Sequence, residues 1–166
     1  MPLLRNHLQT GAGHRGARPW PLERHAMFAS AQEAEQAFYE ALARGDVDGL
    51  MKVWAGDEEI VCVHPGGLRL VGHVAVRESW ESILKHGGLH IETSKVIELV
   101  TMMGATHSVI EQVRADGPQG TEFAYCYATN VFHKGPSGWR LVMHHASAAP
   151  ERASAFDLHD SPGTLH

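Results

Sequence analysis

Four polar residues spread along the chain have surroundings that favour a chemical role: His64, Glu111, Asn130 and His144. His64 stands directly before Pro65, at the end of a short apolar run. Because histidine titrates near pH ~6.5, it can accept a proton at neutral pH. His64 is therefore the predicted catalytic residue, a general base beside Glu111 or His144. The alternative is a histidine that only hydrogen-bonds the end of a strand.

A pocket is predicted where these residues would meet. The strand expected over residues 121–134 has small side chains on one face and large ones on the other, so neither face is typical of contact with bulk water. Small residues that face a layer of helices leave room for a ligand. Asn130 lies on the small face, and the same alternation on neighbouring strands turns Glu111 and His144 toward the pocket.

Two aromatic residues on the helices complete the predicted pocket. Tyr39 lies in the first helix, and either Tyr39 or Asn130 would hold a developing oxyanion. Trp80, on the third helix, caps the pocket or is ordinary core, which is the more common role of an aromatic residue at helical spacing. This chemistry needs a carbon acid, such as a ketone, from which His64 would remove the proton.

The helices come first in the chain and have clear start and stop signals. Ser30 with Glu33 three residues later is a capping box, and apolar residues then recur at helical spacing. Gly45 ends this helix, and Asp46 caps a second, shorter one. A third helix is predicted after Gly72.

Strands dominate the second half of the chain. A short buried strand near 60–63 and its return near 68–71 precede the third helix. Long strands joined by short turns then predict an antiparallel meander, at 89–101, 105–115, 121–134 and 138–148. The predicted fold class is therefore α+β, with helices packed on one face of a curved antiparallel sheet.

The outer face of this sheet predicts self-association. It is broad, aromatic and apolar, and an exposed face of that kind usually marks an interface. We therefore predict a homodimer through the outer sheet face, formed by Tyr125, Tyr127 and Trp139. Strict alternation places His145 and Ser147 on the same side, unless a bulge in the strand reverses the assignment.

No metal and no cofactor are predicted, although the chain has 13 histidines. His144 and His145 are adjacent on a strand, so their side chains point to opposite faces and cannot share one ion. A facial metal site built from His64, His144 and Glu111 is the alternative.

Composition limits the partners and the location. The net charge is −5 and no basic patch stands out, so a nucleic-acid partner is not expected. The apolar runs fall short of the ~20 residues of a membrane helix. No export signal is visible either, so a cytoplasmic location without membrane contact is expected. Cys62 and Cys126 lie in apolar runs and are expected to be reduced, small hydrophobic residues.

The chain is predicted to be one domain with two tails. Residues 1–29 are expected to form a disordered basic tail, because Gly and Pro interrupt any period and residues 1–26 carry four Arg and one Glu. Met27 is a possible alternative start of translation. The domain is expected over 30–148, and 149–166 is expected to be a flexible C-terminal tail.

The order of these elements, together with several short motifs, resembles the nuclear transport factor 2-like superfamily. The closing strand and the residues after it are similar to the SnoaL-like branch, and the chain also resembles the association domain of calcium/calmodulin-dependent protein kinase II. The resemblance covers roughly residues 30–148. The motifs that carry it are Gly45-Asp46, His64-Pro65, Gly72, Gly138-Trp139-Arg140-Leu141 and His145-Ala146-Ser147.

The resemblance implies a usually dimeric, cone-shaped α+β barrel, in which the curved antiparallel sheet wraps around the N-terminal helices and a pocket lies between helices and sheet. Members include ketosteroid isomerases, polyketide cyclases, dehydratases and structural association domains, so the activity does not follow from the fold. By alignment with the isomerases, His64 takes the place of their catalytic aspartate. Phe38 takes the place of their first-helix tyrosine, with Tyr39 next to it. Steroid isomerisation by that mechanism is therefore not expected.

The resemblance to the kinase association domains can also be compared position by position. Those domains have arginines in their pocket. The corresponding residues here are Glu111, Asn130 and Ala146. An anionic ligand held by such an arginine set is therefore not expected.

The predicted function is that of a SnoaL-like domain that binds a small, mostly apolar molecule between helices and sheet. His-based proton transfer, of the isomerase, cyclase or dehydratase type, is the predicted chemistry. The alternative is a non-catalytic dimerisation or association module. A binder should bury its four polar residues around one open cavity, whereas a scaffold would fill that cavity with side chains such as Phe132 and Trp80.

Overall fold

The first helix begins and ends where its capping residues predict. A computed structural model describes residues 28–56 and 59–153 of the chain, and α1 spans Ala31–Arg44. The Ser30 hydroxyl accepts a hydrogen bond from the Glu33 amide at 3.1 Å, which satisfies one of the free N–H groups of the first turn. Gly45 has φ +65°, a left-handed conformation that glycine adopts without strain, and it ends the helix.

Two more helices pack near α1. Helix α2 spans Val47–Val53, and the Asp46 carboxylate accepts from the Gly49 amide at 2.8 Å as its N-cap. Helix α3 spans His73–Ile83 and continues as a 3-10 turn over Leu84–His86.

A single six-stranded sheet covers these helices. The strands are β1 (Val61–Val63), β2 (Arg69–Val71), β3 (His90–Val100), β4 (Gly104–Gly117), β5 (Gly120–Gly135) and β6 (Gly138–Ala149). Their order across the sheet is β2-β1-β6-β5-β4-β3. The four long strands form the predicted antiparallel meander, and β1 pairs antiparallel with β2. The pairing of β1 with β6 is parallel, so the sheet is mostly antiparallel, and the fold is α+β.

A bulge in β6 corrects one sequence prediction. Val131 pairs with Met143 but Phe132 pairs with Leu141, so the register shifts at this point. The shift moves Leu141 and Trp139 to the core face, where they are 0% and 7% exposed. The prediction that Trp139 lies on the outer face with the tyrosines is therefore wrong.

The main core lies between the helices and the concave side of the sheet. Phe38 is its centre: its ring makes edge contacts with Trp54 and Trp80 at centroid distances of 6.3 and 5.8 Å. Phe132 and Leu141 reach it from the sheet, and both are fully buried. The predicted tails, residues 1–29 and 149–166, lie mostly outside the described residues. None of the helices in the described residues is long and apolar enough to cross a membrane.

Candidate functional site

A cavity of about 310 Å³ lies between α3 and the concave face of the sheet. Its floor is made of small side chains from β5 and β6, and its helical wall includes Trp80 and Ile83. The side chains of His64, Glu111 and His144 reach it from three different strands or strand ends. Most of the remaining lining is apolar, as expected for a small-molecule pocket.

The floor has room because the residues of β5 and β6 that face it are small. Cys126 and Ala128 alternate inward on β5, and Ala146 pairs with Ala128 across the sheet. Large side chains at these positions would fill the space that the helices leave open. Sequence alternation predicted this small-residue face correctly on β5.

His64 lies at the end of β1 and is half-buried. Its Nε2 is 2.8 Å from the Ser79 hydroxyl, and its ring makes an edge contact with Trp80 at 4.6 Å between centroids. Burial lowers the pKa of His64 below its ordinary value of 6.5, because the imidazolium loses hydration there. The imidazole is therefore mostly neutral at neutral pH, the form that can accept a proton.

Glu111 lies on β4 and is 2% exposed. Burial raises the pKa of this carboxyl to about 7, and the negative charge of Glu35 contributes in the same direction. The Tyr39 hydroxyl donates a hydrogen bond to Glu111 Oε1 at 2.8 Å, which partly opposes the rise because it favours the carboxylate. Glu111 therefore has both protonated and ionised forms available near neutral pH.

Asn130 lies behind the cavity wall and joins its polar residues together. Its Nδ2 donates to Glu35 Oε1 at 2.8 Å and to the Tyr39 hydroxyl oxygen at 3.0 Å. Its Oδ1 is 2.7 Å from His144 Nδ1. Asn130 is completely buried, so this network is shielded from water and the orientation of the amide is fixed by its partners.

His144, on β6, is 3% exposed and contacts the Phe38 ring at 5.1 Å between centroids. Burial lowers the pKa of His144 to about 3, with smaller contributions from the nearby His64 and His145. The ring is therefore neutral at physiological pH.

Of the six predicted pocket residues, four line the cavity and two do not. His64, Trp80, Glu111 and His144 are at its surface, whereas Tyr39 and Asn130 contact it only through Glu111 and His144. Trp80 combines the two roles considered from the sequence, because it is core, 3% exposed, and also cavity wall.

Two buried polar residues were missed by the sequence reasoning. Glu35 lies on α1, is 9% exposed, and bridges Asn130 to His107, whose Nδ1 is 3.0 Å from Glu35 Oε2. A signal for Glu35 exists: it shares helical spacing with Ala31 and Phe38, so it belongs to the buried stripe. His107 lies two and four residues before the buried Val109 and Glu111, on the inward face of β4.

The facial metal site considered from the sequence is not formed. In the described parts of the chain, no three His, Cys, Asp or Glu side chains lie close enough together to hold a metal ion. His86 and His90 are four residues apart, but the 3-10 turn ends between them, so they share no helix face. Cys62 and Cys126 are buried and free, and burial raises the pKa of the Cys62 thiol to about 12, which disfavours the reactive thiolate.

Comparison with known proteins gives the fold and the site a family. Residues 32–151 match the SnoaL-like domain. This match covers most of the chain and contains every residue of the cavity.

The chain belongs to the SnoaL-like domain family.

Solved structures agree with this assignment. A candidate calcium/calmodulin-dependent protein kinase type II association domain from Thiobacillus denitrificans is 31% identical, with a TM-score of 0.68 over 75% of this chain and 98% of that one. A candidate dehydratase of the NTF2-like family from Streptomyces avermitilis is also 31% identical, with a TM-score of 0.65 over 70% of this chain and 91% of that one. No curated protein sequence matches the SnoaL-like chain.

More distant structures show the fold alone. A protein with a cystatin-like fold from Caulobacter vibrioides is 16% identical and superimposes with a TM-score of 0.62 over 75% of this chain and 90% of that one. The SnoaL-like domain therefore has the NTF2-like, cystatin-like architecture that its sequence resembles.

Proposed function

We propose that this SnoaL-like domain binds a small, mostly apolar molecule in the cavity and that His64 exchanges a proton with it. The observation that supports this most is the combination of a mostly apolar cavity of about 310 Å³ with the side chains of His64, Glu111 and His144 in its wall. An open cavity, rather than one filled by Phe132 or Trp80, is what a binder needs and a pure scaffold does not.

The proton transfer follows from the states of the two acid–base groups. A neutral His64 nitrogen would remove a proton from a carbon next to a carbonyl, and the electron pair would move onto the carbonyl oxygen. Protonated Glu111 would donate a proton to that oxygen, giving the neutral enol. In a β,γ-unsaturated ketone, His64 would return its proton to the γ carbon while the enol oxygen returns its proton to Glu111, which completes an isomerisation. In a β-hydroxy ketone, the hydroxyl group would leave as water with the proton from His64 while the enol oxygen returns its proton to Glu111, which completes a dehydration. The 31% identical candidate dehydratase supports this class of reaction.

A ligand screen with proton exchange tests the proposal. We expect some ketone, aromatic or lactone in a metabolite library to stabilise the full chain, by ~2.7 kcal/mol at a hundred times its dissociation constant. His64→Gln keeps a side-chain amide for Ser79 but cannot take a proton. We expect it to reduce deuterium exchange at the carbon next to the carbonyl by ~10²-fold or more while binding changes little.

The matched control is His86→Gln, which removes an exposed histidine from the 3-10 turn. Its exchange rate should equal that of the wild type. Exchange that persists in His64→Gln would disprove the role of His64, and a library without a single ligand would count against binding altogether.

Self-association is the second proposed function, and the outer sheet face supports it. Tyr127 and Met143 lie there with 46% and 37% of their surfaces exposed, and the chain is 31% identical to a candidate association domain. Tyr125, two residues before Tyr127 on β5, is half-buried and also lines the cavity. His145 and Ser147 are exposed on the same strand as Met143. An apolar face of this kind is typical of a dimer interface.

A charge on this face should dissociate the dimer. We expect Tyr127→Glu to convert a dimer to a monomer in multi-angle light scattering at micromolar concentration, because a carboxylate would be buried without a partner. Val74→Glu is the control, since Val74 is 72% exposed on α3, away from the sheet face. A wild-type chain that is already monomeric, or a Tyr127→Glu dimer, would refute this interface.

A further inference from the structure

Two side-chain atoms of the cavity lining have no hydrogen-bond partner among the described residues. We infer that Nε2 of His144 accepts a hydrogen bond from a hydroxyl group of the ligand, and that Oε2 of Glu111 is a second acceptor when this carboxyl is ionised. On this basis the pocket selects neutral alcohols, phenols or enols over carboxylates. This inference rests on the proposed binding function and names the ligand class for the same cavity.

The orientation of Asn130 is the first step. Its Nδ2 donates to two acceptors, the Glu35 carboxylate at 2.8 Å and the Tyr39 hydroxyl oxygen at 3.0 Å. The Tyr39 hydroxyl in turn donates its proton to Glu111 at 2.8 Å, so toward Asn130 it can only accept. A flipped amide would place its oxygen against the Glu35 carboxylate, which repels it. Oδ1 of Asn130 must therefore be the atom that faces His144.

The second step fixes the proton on His144. Oδ1 of Asn130 can only accept, so Nδ1 of His144 donates across the 2.7 Å contact. The buried ring is neutral, so it carries a single proton and its Nε2 is an acceptor. Among the described residues Nε2 has no hydrogen-bond partner, and His144 lines the cavity. The free acceptor of His144 is thus available to a ligand.

Glu111 supplies the second acceptor. Oε1 is engaged by the Tyr39 hydroxyl, and Oε2 has no hydrogen-bond partner within the part of the chain that the structure describes. His107 Nε2 also has no hydrogen-bond partner among the described residues, but it is buried in the core. Glu111 and His144 differ from it because they line the cavity. A ligand hydroxyl can donate to one of the two atoms and leave the other to a second donor or a bound water.

The absence of positive charge excludes carboxylates. Among the described residues that line the cavity there is no Lys or Arg. A bound carboxylate would lose its hydration and lie near Glu111, whose ionised form repels it, and buried charges without a charged partner are strongly disfavoured. A neutral hydroxyl group meets none of these penalties.

Glu35 is a positioning residue for this end of the cavity. It does not line the cavity, but it holds Nδ2 of Asn130 and thereby determines which atom His144 presents to the ligand. The series of hydrogen bonds from Glu35 through Asn130 to His144 connects α1, β5 and β6.

Three matched probes test the inference by titration calorimetry on the full chain near neutral pH: 2-naphthol, 2-methoxynaphthalene and 2-naphthoate. The first carries a hydroxyl donor, the second has that donor blocked, and the third is a carboxylate. We expect 2-naphthol to bind about tenfold more tightly than either of the others, the effect of one good hydrogen bond in a buried site.

His144→Asn is the informative variant. Its amide can still donate to Asn130 from the position of Nδ1, but no atom remains at the position of Nε2. We expect the advantage of 2-naphthol over 2-methoxynaphthalene to fall to about twofold or less, with the binding of 2-methoxynaphthalene little changed. His145→Asn is the control, because it makes the same substitution on the next residue, on the exposed side of β6. It should keep the full ratio.

The outcomes separate this inference from the proposed function. Equal binding of 2-naphthol and 2-methoxynaphthalene to the wild type, or a preference that survives His144→Asn, would overturn the acceptor role while the apolar binding site stands. Tightest binding of 2-naphthoate would overturn the exclusion of carboxylates. If none of the three probes binds, the proposed ligand site fails and the inference fails with it.

Discussion

Replacing His144 with asparagine should make the domain more resistant to acid than the wild type. Burial lowers the pKa of His144 from 6.5 to about 3, so the folded state keeps the ring neutral while the unfolded chain gains a proton. A histidine with a depressed pKa stabilises the fold above its unfolded pKa, and this stability is lost as the pH falls toward the folded value. Between pH ~8 and pH ~4.5 the loss is about 3 kcal/mol.

Urea unfolding at a series of pH values measures this effect. We expect the free energy of unfolding of His144→Asn, relative to the wild type, to rise by about 3 kcal/mol from pH ~8 to pH ~4.5. At high pH the variant should be less stable than the wild type, because Phe38 and Trp80 lose ring contacts. His145→Asn, on the exposed side of the strand, should follow the wild-type curve closely. A constant difference between His144→Asn and the wild type would show that His144 titrates normally in the fold.

The elements of this fold were readable in the sequence because local signals and global packing agree. Ser30, Gly45 and Asp46 have side chains or backbone freedom that act within one turn of the chain, so their roles do not depend on distant residues. The long strands are separated by short turns, and their alternation between small and large residues is a period of two that only a sheet satisfies.

The faces of β6 could not be derived in the same way. From Trp139 to Met143 every residue except Arg140 is apolar, so the sequence has no polarity contrast that would reveal a bulge. Arg140 itself is 8% exposed, and its guanidinium lies over the Phe28 ring at 5.0 Å. Only the pairing with β5 shows that the register shifts there.

The polar network behind the cavity is a tertiary property. Glu35 and Asn130 are 95 residues apart in the chain, and the hydrogen bond between them does not follow from the local spacing that buries each residue. Alternation places Asn130, His144 and Glu111 on the inward face, as predicted, but it does not say which of them touches a ligand. That distinction depends on the Tyr39 hydroxyl and the Glu35 carboxylate, which both accept hydrogen bonds from Asn130. His144 and Glu111 each keep one side-chain atom without a hydrogen-bond partner among the described residues.

Replacing Glu111 with glutamine should have the opposite effect to the His144 variant. Burial raises the pKa of Glu111 from 4.5 to about 7, so the folded state holds a proton that the unfolded chain has already released. An acid with a raised pKa favours the fold at low pH, and this advantage is lost as the pH rises from the unfolded value to the folded one. The loss from pH ~4.5 to pH ~8 is about 3 kcal/mol.

Glutamine is the matched replacement because its carbonyl oxygen can still accept the Tyr39 proton. We expect the unfolding free energy of Glu111→Gln, relative to the wild type, to rise by about 3 kcal/mol between pH ~4.5 and pH ~8. Glu92→Gln, on the exposed strand β3, is the control and should leave the pH dependence unchanged. A Glu111→Gln curve parallel to that of the wild type would mean that the carboxyl is ionised in the fold at every pH tested.

The effects of His144 and Glu111 on the free energy of unfolding have similar size and opposite sign over the same pH range. In the wild type these two effects should therefore largely cancel. Its own stability should change less between pH ~4.5 and pH ~8 than that of either single variant. The cavity thus keeps an unprotonated histidine and a protonatable carboxyl together without a large dependence of stability on pH. The unfolding free energies of the two variants, relative to the wild type, could instead change in the same direction with pH. Burial could then not have lowered the pKa of His144 and raised that of Glu111, and both the hydrogen-bond acceptors and the proton transfer depend on this difference.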